Sequence, residues 1–213
     1  MDGLLIDSEP FWKEAEKKIF LRVSIQLTYD MMLQTVGLKL IDVVEYWFVR
    51  FPWDTTKFPK EQITKDVIEE MILLLSRNGA GMSGYHSTIT FFKDQWYKIW
   101  LNSASDYSII NVVLEKLWIR DFFDTIHSGQ DEKYGKPHPG GYLSTAEKLW
   151  VHPWECLVFE DSLNGVISAK SARMKCIAVP EEENYTNQKF AIADMILISL
   201  SEFDEEKLKT LTV

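Results

Sequence analysis

Hydrophobic periodicity changes near residue 80, and this change constrains the fold of the 213-residue chain more than any other feature. Between residues 9 and 78 apolar residues recur at helical spacing, as Ile63, Val67 and Met71 do, and no run has the pattern of a strand. From about residue 83 onward, helical stretches alternate with short β-prone runs. Such alternation predicts an α/β fold, a parallel β-sheet covered by helices. The predicted strands are residues 97–101, 125–128, 156–159, 175–179 and 195–198.

This change in pattern divides the chain into two predicted units. A helical unit of residues 8–79 is inserted into an α/β unit made of residues 1–7 and 80–213. We expect hinges at the two junctions, because Pro10 and Gly79 interrupt regular secondary structure there.

The charge balance excludes several classes of partner. The 23 basic and 32 acidic residues give a net charge of -9 and a pI near 5.0, so the overall field repels nucleic-acid phosphates and anionic membrane surfaces. No apolar run approaches the ~18 residues of a membrane span, and the first residues lack the basic region of a signal peptide. We therefore expect a cytoplasmic, monomeric protein that binds neither nucleic acid nor membrane. A small anionic substrate would need a local positive pocket.

Polar side chains stand at the ends of predicted strands, where ligands bind in open parallel sheets. Taken singly, a serine or aspartate there is better explained as the N-cap of the next helix, and a lysine as a surface residue. Together these residues form a set suited to phosphate, with carboxylates for a hard cation, hydroxyl and backbone N–H groups, and one positive charge. The set comprises Asp2, Asp7, residues 103–106, Lys136, Glu160 and Asp161.

The adjacent Glu160 and Asp161 are the hardest members of this set to explain structurally. Two carboxylates at one strand end repel each other unless a cation or hydrogen bonds compensate their charge. Mg²⁺ prefers carboxylate oxygens and the oxygens of a substrate phosphate. The pair therefore indicates Mg²⁺ as a cofactor.

Four segments resemble the haloacid dehalogenase superfamily. They are Asp-Gly-Leu-Leu-Ile-Asp-Ser-Glu-Pro from Asp2, Ser-Ala-Ser from Ser103, Gly-Lys-Pro-His-Pro around Lys136, and Phe-Glu-Asp-Ser-Leu-Asn-Gly from Phe159. Over essentially its whole length the chain is similar to the sugar-phosphate phosphatases of the β-phosphoglucomutase-like branch, of the 2-deoxyglucose-6-phosphate or hexitol phosphatase type. The resemblance implies a Rossmann-like core with a parallel sheet, an inserted α-helical cap, and reaction through a phosphoaspartate.

The resemblance also implies roles for individual residues. The family signature is Asp-x-Asp-Gly, in which the first aspartate attacks phosphorus and the second protonates the leaving alcohol and later activates water. Asp2 matches the second aspartate, and its backbone carbonyl would bind Mg²⁺ together with Glu160 and Asp161. The residues that match the phosphate-binding positions are Ser103, Ala104 and Lys136, of which Lys136 is also the stabilising cation of the reaction.

The same match places the nucleophilic aspartate immediately before Met1, at the end of an apolar strand from the middle of the family's sheet. Without that strand, we expect neighbouring strands to have unpaired edges and core side chains to be exposed. Met1 is then interpreted as an internal methionine of a longer protein, or the chain as a truncated relative. The chain as written is expected not to form the phosphoenzyme.

Substrate selection is expected to fall to the inserted helices. In the mutases of this branch a histidine follows the signature, and Trp12 stands at the matching place, which favours a hydrolase of small sugar or sugar-alcohol phosphates over a phosphosugar mutase. Gly37 and Lys39 match the cap loop that faces the active site, although Lys39 is equally well explained as an exposed residue at a helix start. Ser105 is a further candidate for substrate contact. A third interpretation is a non-catalytic chain that binds only phosphate or Mg²⁺.

Four tryptophans, Trp96, Trp100, Trp118 and Trp150, stand where such proteins usually carry glycine. Three of them follow predicted helices, where a terminal glycine commonly adopts a left-handed conformation that costs other residues about 1 to 2 kcal/mol. Drift with local repacking is one explanation. The other is that one codon has been read as tryptophan where the organism reads glycine.

Overall fold

Two parallel β-sheets form the centre of the α/β unit in a computed structural model that describes residues 1–211. One sheet pairs Trp100–Ser103 with Thr125–Ser128, and the other contains Leu157–Glu160, Lys175–Ala178 and Met195–Ile196 in that order. Every pairing between these strands is parallel, which confirms the α/β fold predicted from the alternation of helices and strands. The strands are β1 (Trp100–Ser103), β2 (Thr125–Ser128), β3 (Leu157–Glu160), β4 (Lys175–Ala178) and β5 (Met195–Ile196).

The predicted start of the first strand at residue 97 is wrong. The backbone N–H groups of Trp96 and Tyr97 still donate to the carbonyl oxygens of Lys93 and Phe92, at 3.0 and 3.1 Å, and so close the preceding helix. The strand therefore begins three residues later, and Ser103 is its last residue rather than a residue beyond it.

Four helices form the helical unit, and no strand occurs between residues 9 and 78 within the described chain. The first helix has Pro10 in its first turn, where the missing N–H of proline costs nothing. It buries Ala15, Ile19 and Phe20 along one face. The helices of this unit are α1 (Glu9–Leu21), α2 (Tyr29–Met32), α3 (Leu40–Arg50) and α4 (Lys60–Asn78).

Helix α4 joins the helical unit to the α/β unit. The face predicted from the spacing of Ile63, Val67 and Met71 is fully buried, with each side chain 0% exposed. It packs against α6 (Tyr107–Lys116), which contributes Ile110 to the same hydrophobic cluster. The two units thus share one continuous core.

Two of the remaining helices cover the sheets. Helix α7 (Gly140–Leu149) packs on β1 and β2, and α8 (Leu163–Ser171) packs on β3 and β4. No helix in the described part of the chain is both long and apolar enough to cross a membrane. The α-helices are α5 (Tyr85–Asp94), α7 (Gly140–Leu149), α8 (Leu163–Ser171) and α9 (Glu205–Leu211), and the 3₁₀ helices are Arg120–Phe122, Gly129–Asp131, Pro153–Glu155, Glu182–Asn184, Gln188–Ile192 and Leu200–Glu202.

A cavity of about 610 Å³ separates the two sheets. Strands β1 and β3 both line it, and within residues 1–211 each has a partner on only one edge. This confirms the expectation of unpaired edges. Core side chains are less exposed than expected, since Leu101 and Val158 are each only 5% exposed. The side-chain nitrogen of Asn102, which also lines the cavity, is buried without a hydrogen-bond partner among the described residues.

Three of the four unusual tryptophans adopt the left-handed conformation. Trp96, Trp118 and Trp150 have φ angles of 62°, 55° and 56°, and their side chains are 92%, 90% and 91% exposed. Each directly follows, or caps, the last residues of a helix, as the prediction required. Trp100 lies in β1 instead, so no left-handed backbone constrains that position.

Candidate active site

A cavity of about 120 Å³ lies where the helical unit meets the ends of β1 and β3. Trp12 and Gly37 line it on the helical side, whereas Asp2 and Lys136 line it on the α/β side. The structure therefore brings residues that are far apart in the chain into one pocket. The predicted site residues that line it are Asp2, Trp12, Gly37, Ser103, Ala104, Ser105, Asp106, Lys136 and Asp161.

The Asp2 carboxylate accepts hydrogen bonds from four side chains. Ser8 Oγ and Trp12 Nε1 donate to Oδ1 at 2.6 and 3.2 Å. Ser105 Oγ and Ser103 Oγ donate to Oδ2 at 2.9 and 3.4 Å. Donors on both oxygens fix the plane of the carboxylate and favour its charged form.

The charge of Asp2 depends on its burial, on the amino group of Met1 and on these donors. Burial alone would raise the pKa of Asp2, but the positive charge of the chain's amino group and the hydrogen bonds from Ser8, Ser105 and Trp12 outweigh it, so the pKa lies below its usual value. Asp2 is therefore a carboxylate at neutral pH, the form that accepts a proton.

Lys136 and Glu160 form a buried ion pair beside the cavity. Lys136 Nζ and the Tyr142 hydroxyl both donate to Glu160 Oε1. Burial would raise the pKa of Glu160, but Lys136 and Tyr142 hold it below its usual value. Gly165 is required by this arrangement, because a Cβ at that position would overlap Glu160 Oε2. The charge of Glu160 is thus already compensated by protein groups.

The Asp161 carboxylate is in the opposite situation. Burial and the neighbouring charge of Glu160 raise the pKa of Asp161 to about 7. Among the described residues it has no hydrogen-bond or ion-pair partner. A Cβ at Gly3, which has a φ of 64°, would come within 2.5 Å of Asp161 Oδ2, so this carboxylate packs directly on the backbone beside Asp2.

This donor set fits a hard cation. An uncompensated carboxylate that faces an enclosed pocket is the kind of ligand that Mg²⁺ binds, usually with water and phosphate oxygens completing the coordination. Across residues 1–211, no group of three or more histidine, cysteine, aspartate or glutamate side chains forms a complete metal centre. Bound Mg²⁺ would thus depend on backbone and substrate oxygens as well as on Asp161.

Three predicted site residues lie outside the cavity. Asp7 is exposed on the surface. Glu160 stands behind Lys136, as described above. Lys39 Nζ donates to the backbone carbonyl of Glu132 at 2.8 Å, so its charge is used to hold the helical unit against the α/β unit rather than to face the pocket. Gly37, with a φ of 77°, does line the pocket, and a Cβ there would lie 3.2 Å from Ser162 Oγ.

Three residues of this site were not among the predicted site residues. Ser8 donates to Asp2 and is fully buried, yet a serine two residues before Pro10 in the sequence suggests only a helix start. Tyr142 donates to Glu160 from helix α7, and no spacing in the sequence relates the two. Glu16 lines the cavity, and its position four residues after Trp12 on one helix was the available signal.

Comparisons with known proteins agree with this geometry. Residues 1–179 match the family described as haloacid dehalogenase-like hydrolase. The chain is 36% identical to hexitol phosphatase B of Escherichia coli K12, over 98% of this chain and 93% of that protein. It is 29% identical to the phosphorylated carbohydrates phosphatase of Thermotoga maritima, over 83% of this chain and 81% of that protein.

Solved structures show the same relationship. The crystal structure of β-phosphoglucomutase from Clostridium difficile superimposes with a TM-score of 0.85 and 25% identity, over 99% of this chain and 93% of that one. The family match covers the Asp2, Ser103, Lys136 and Asp161 segments that meet in the cavity. The chain belongs to the haloacid dehalogenase-like hydrolases.

Proposed function

We propose that this protein is a magnesium-dependent phosphatase of small sugar or sugar-alcohol phosphates, of the hexose 6-phosphate type. The observation that carries the proposal is the Asp2 carboxylate, which is oriented by four donors in a cavity that it shares with Lys136. The printed names of the relatives, hexitol phosphatase B and phosphorylated carbohydrates phosphatase, support the substrate class.

Asp2 is the proposed acid and base of the reaction. A carboxylate nucleophile attacks phosphorus, and the bond from phosphorus to the substrate oxygen breaks. The leaving alkoxide takes a proton from Asp2, which has first accepted that proton from the monoanionic phosphate group of the bound substrate. Water then attacks the phosphorus of the phosphoaspartate, and Asp2 accepts the proton that the water loses. The products are the free sugar or polyol and inorganic phosphate. Ser103, Ala104 and Lys136 hold the phosphate through hydrogen bonds and positive charge.

The nucleophile itself is proposed to be an aspartate immediately before Met1, at the end of an apolar strand. The cavity of about 610 Å³ supports this, because Met1 lines it together with β1 and β3, each of which has an unpaired edge among the described residues. A strand in that position would pair with both edges and join the two sheets. We expect the 213-residue chain alone not to form the phosphoenzyme.

Mg²⁺ would be held by Asp161 and the backbone carbonyl of Asp2, with Glu160 behind them. When bound, it supplies positive charge that offsets the charge of the phosphate. Residues 8–79 are proposed to act as a cap that closes over the substrate.

A phosphosugar mutase is the alternative activity, and Trp12 disfavours it. The Trp12 indole donates through Nε1 to Asp2 and has no basic nitrogen that could accept a proton from a sugar hydroxyl. We therefore expect phosphate release rather than transfer within the sugar.

The test compares the 213-residue chain with a chain extended by an apolar strand that ends in aspartate. The strand is taken from the DNA upstream of Met1 or, in its absence, from hexitol phosphatase B. Release of inorganic phosphate is measured with hexose and hexitol 6-phosphates and Mg²⁺. We expect release only from the extended chain, and a loss of at least about 100-fold when its added aspartate becomes asparagine or when Asp2 is changed, as Asp2→Asn.

Each result bears on a separate part of the proposal. Steady release by the 213-residue chain would show that the nucleophile lies within residues 1–213. Failure of the extended, folded chain on every sugar and polyol phosphate would refute the phosphatase assignment. Formation of an isomerised sugar phosphate without release of inorganic phosphate would favour the mutase.

A further inference from the structure

Glu16 lines the active-site cavity from the helical side but has no role in the chemistry proposed above. It lies on α1, one helical turn beyond Trp12, so both side chains point to the same face of the helix. Trp12 contacts Asp2 directly. Glu16 is therefore placed one turn further from the reacting phosphate, where the rest of a substrate would lie.

The Glu16 carboxyl is buried without a partner. The residue is only 9% exposed, and within residues 1–211 its carboxyl makes no hydrogen bond or ion pair. Lys13, which lies about one turn earlier on the same helix, pairs instead with Glu9 at 3.3 Å. Burying a polar group without a hydrogen bond is unfavourable, so each such group in a folded protein needs an explanation. A ligand that forms the missing hydrogen bond is one such explanation.

Apart from the Glu9–Lys13 ion pair, most of the residues that line the helical side of the cavity with Glu16 are apolar. The helical side of the cavity is otherwise formed mainly by aliphatic side chains, and the Thr35 hydroxyl there already donates to the carbonyl of Met32 at 3.0 Å. Glu16 is thus the strongest uncommitted polar group on this wall. The aliphatic residues of the wall are Met32, Val36, Leu38, Leu40, Val43 and Ile68.

Burial raises the pKa of Glu16 to about 8, with a further contribution from the charge of Glu9. At neutral pH the carboxyl is thus mainly protonated. In that form it has one O–H donor and a carbonyl acceptor, which match the two hydrogen-bonding functions of an alcohol hydroxyl. A neutral carboxyl also does not repel the phosphate of a substrate.

We propose that Glu16 binds a hydroxyl group of the sugar or polyol and so selects hydroxylated phosphate esters. The phosphate would be held at Ser103 and Lys136 on the α/β side, and the hydroxylated end would reach Glu16 on the helical side. This inference rests on the proposed function, because it assumes a small phosphorylated polyol in the cavity. It adds the residue that distinguishes such an ester from inorganic phosphate.

The test is a binding measurement, so it does not depend on turnover. Titration calorimetry with the 213-residue chain compares glucitol 6-phosphate with inorganic phosphate, both in the presence of Mg²⁺. Glu16→Met, which removes the polar group at similar size, should weaken glucitol 6-phosphate binding by about tenfold or more, because a hydroxyl loses its partner. Inorganic phosphate should change by less than about twofold, since it does not reach this wall.

Two further variants control for structural effects. Glu16→Gln keeps a donor and an acceptor and should retain binding to within about threefold. Glu14→Met, on the exposed side of the same helix, should change neither ligand. Thermal unfolding of Glu16→Met should occur at a higher temperature than in the wild type, because an unpaired buried carboxyl is removed. A purely structural role would instead lower both stability and the binding of both ligands.

The outcomes separate this inference from the proposed function. Unchanged glucitol 6-phosphate binding in Glu16→Met, or equal losses for both ligands, would overturn the role of Glu16 while leaving the phosphatase proposal intact. If the folded wild type binds neither ligand, the role of Glu16 is overturned, whereas the phosphatase proposal is decided separately by phosphate release from the extended chain. Selective loss of glucitol 6-phosphate binding with raised stability supports the inference.

Discussion

Replacing Trp96, Trp118 and Trp150 together by glycine should stabilise this protein. All three have left-handed backbones, with φ between 55° and 62°. In each case the next N–H donates back five residues, at 3.1 Å, as Tyr97 does to Phe92, which is the hydrogen bond that closes a Schellman motif. Glycine occupies this position in helices at the lowest cost, because it has no Cβ.

The size of the effect follows from two opposing contributions. A residue other than glycine in the left-handed conformation lowers the free energy of unfolding by about 1 to 2 kcal/mol. Glycine itself lowers it by about 0.5 to 1 kcal/mol, because it has greater conformational freedom in the unfolded chain. The net gain is about 0.5 to 1 kcal/mol per site, or about 1.5 to 3 kcal/mol for three sites at different helix ends. Little burial is lost, since each ring is at least 90% exposed. For a chain of this length the midpoint of thermal unfolding should rise by about 3 to 12 °C.

The matched control is the triple alanine variant. Alanine removes the same three rings and keeps the Cβ, so any gain in the glycine variant over the alanine variant reports the backbone conformation alone. Trp154→Gly is a second control, because Trp154 has no left-handed backbone and stacks on His152 with ring centroids 4.3 Å apart. It should lose stability.

The measurement is the midpoint and free energy of unfolding by calorimetry and urea titration. A glycine variant no more stable than the alanine variant would refute the assignment of strain to these positions. Stabilisation alone does not distinguish the two explanations of the tryptophans. Residues other than glycine also adopt the left-handed conformation in this protein, as Ser24 and Arg173 do. Peptide masses of the protein purified from its own organism decide between the two explanations, because glycine at these positions requires that the codon was misread.

Two further predictions concern the carboxylates of the cavity. Mg²⁺ should raise the unfolding temperature of the wild type but not of Asp161→Asn, because Asp161 has no partner among the described residues that could replace the cation; equal shifts would contradict its role. The pKa of Glu16 is about 8 in the folded protein and 4.5 in the unfolded chain. The contribution of Glu16 to the free energy of unfolding is therefore fully present below pH 4.5 and is lost as the pH rises to about 8. Relative to Glu16→Gln, the wild type should lose up to about 1.4 kcal/mol per pH unit between about pH 5 and pH 8, and parallel pH curves would show that the buried carboxyl is not protonated.

Prediction from the sequence was most accurate where the spacing of apolar residues alone defines the buried face of a helix. The spacing of Ile63, Val67 and Met71 defines one face of a helix whatever lies opposite, and that face is fully buried. The convergence of Asp2, Lys136 and Asp161 could be expected because parallel strands bring their carboxyl ends to one edge. Neither inference needs the details of side-chain packing.

The sequence could not predict contacts that depend on how two parts of the chain meet. Ser8 and Asp2 are six residues apart, and only the path of the chain into α1 turns the Ser8 hydroxyl onto the carboxylate. The Lys39 ammonium group donates to a carbonyl 93 residues away, across the junction of the units, and its contact with substrate stays a prediction. Such long-range pairs leave no periodic trace in the sequence.

The strand was wrongly predicted to start at residue 97 because a tryptophan stands at position 96. Glycine after a helix is a stop signal, because it accepts the left-handed turn that ends the helix. At position 96 the chain carries tryptophan, a residue favoured in strands, followed by Tyr97, so the pattern predicts a strand where the structure closes a helix. The backbone nevertheless follows the course that glycine would favour, since the Tyr97 N–H still reaches the carbonyl of Phe92. The local preference of one residue is therefore outweighed by the packing of the helix and strand on either side of it.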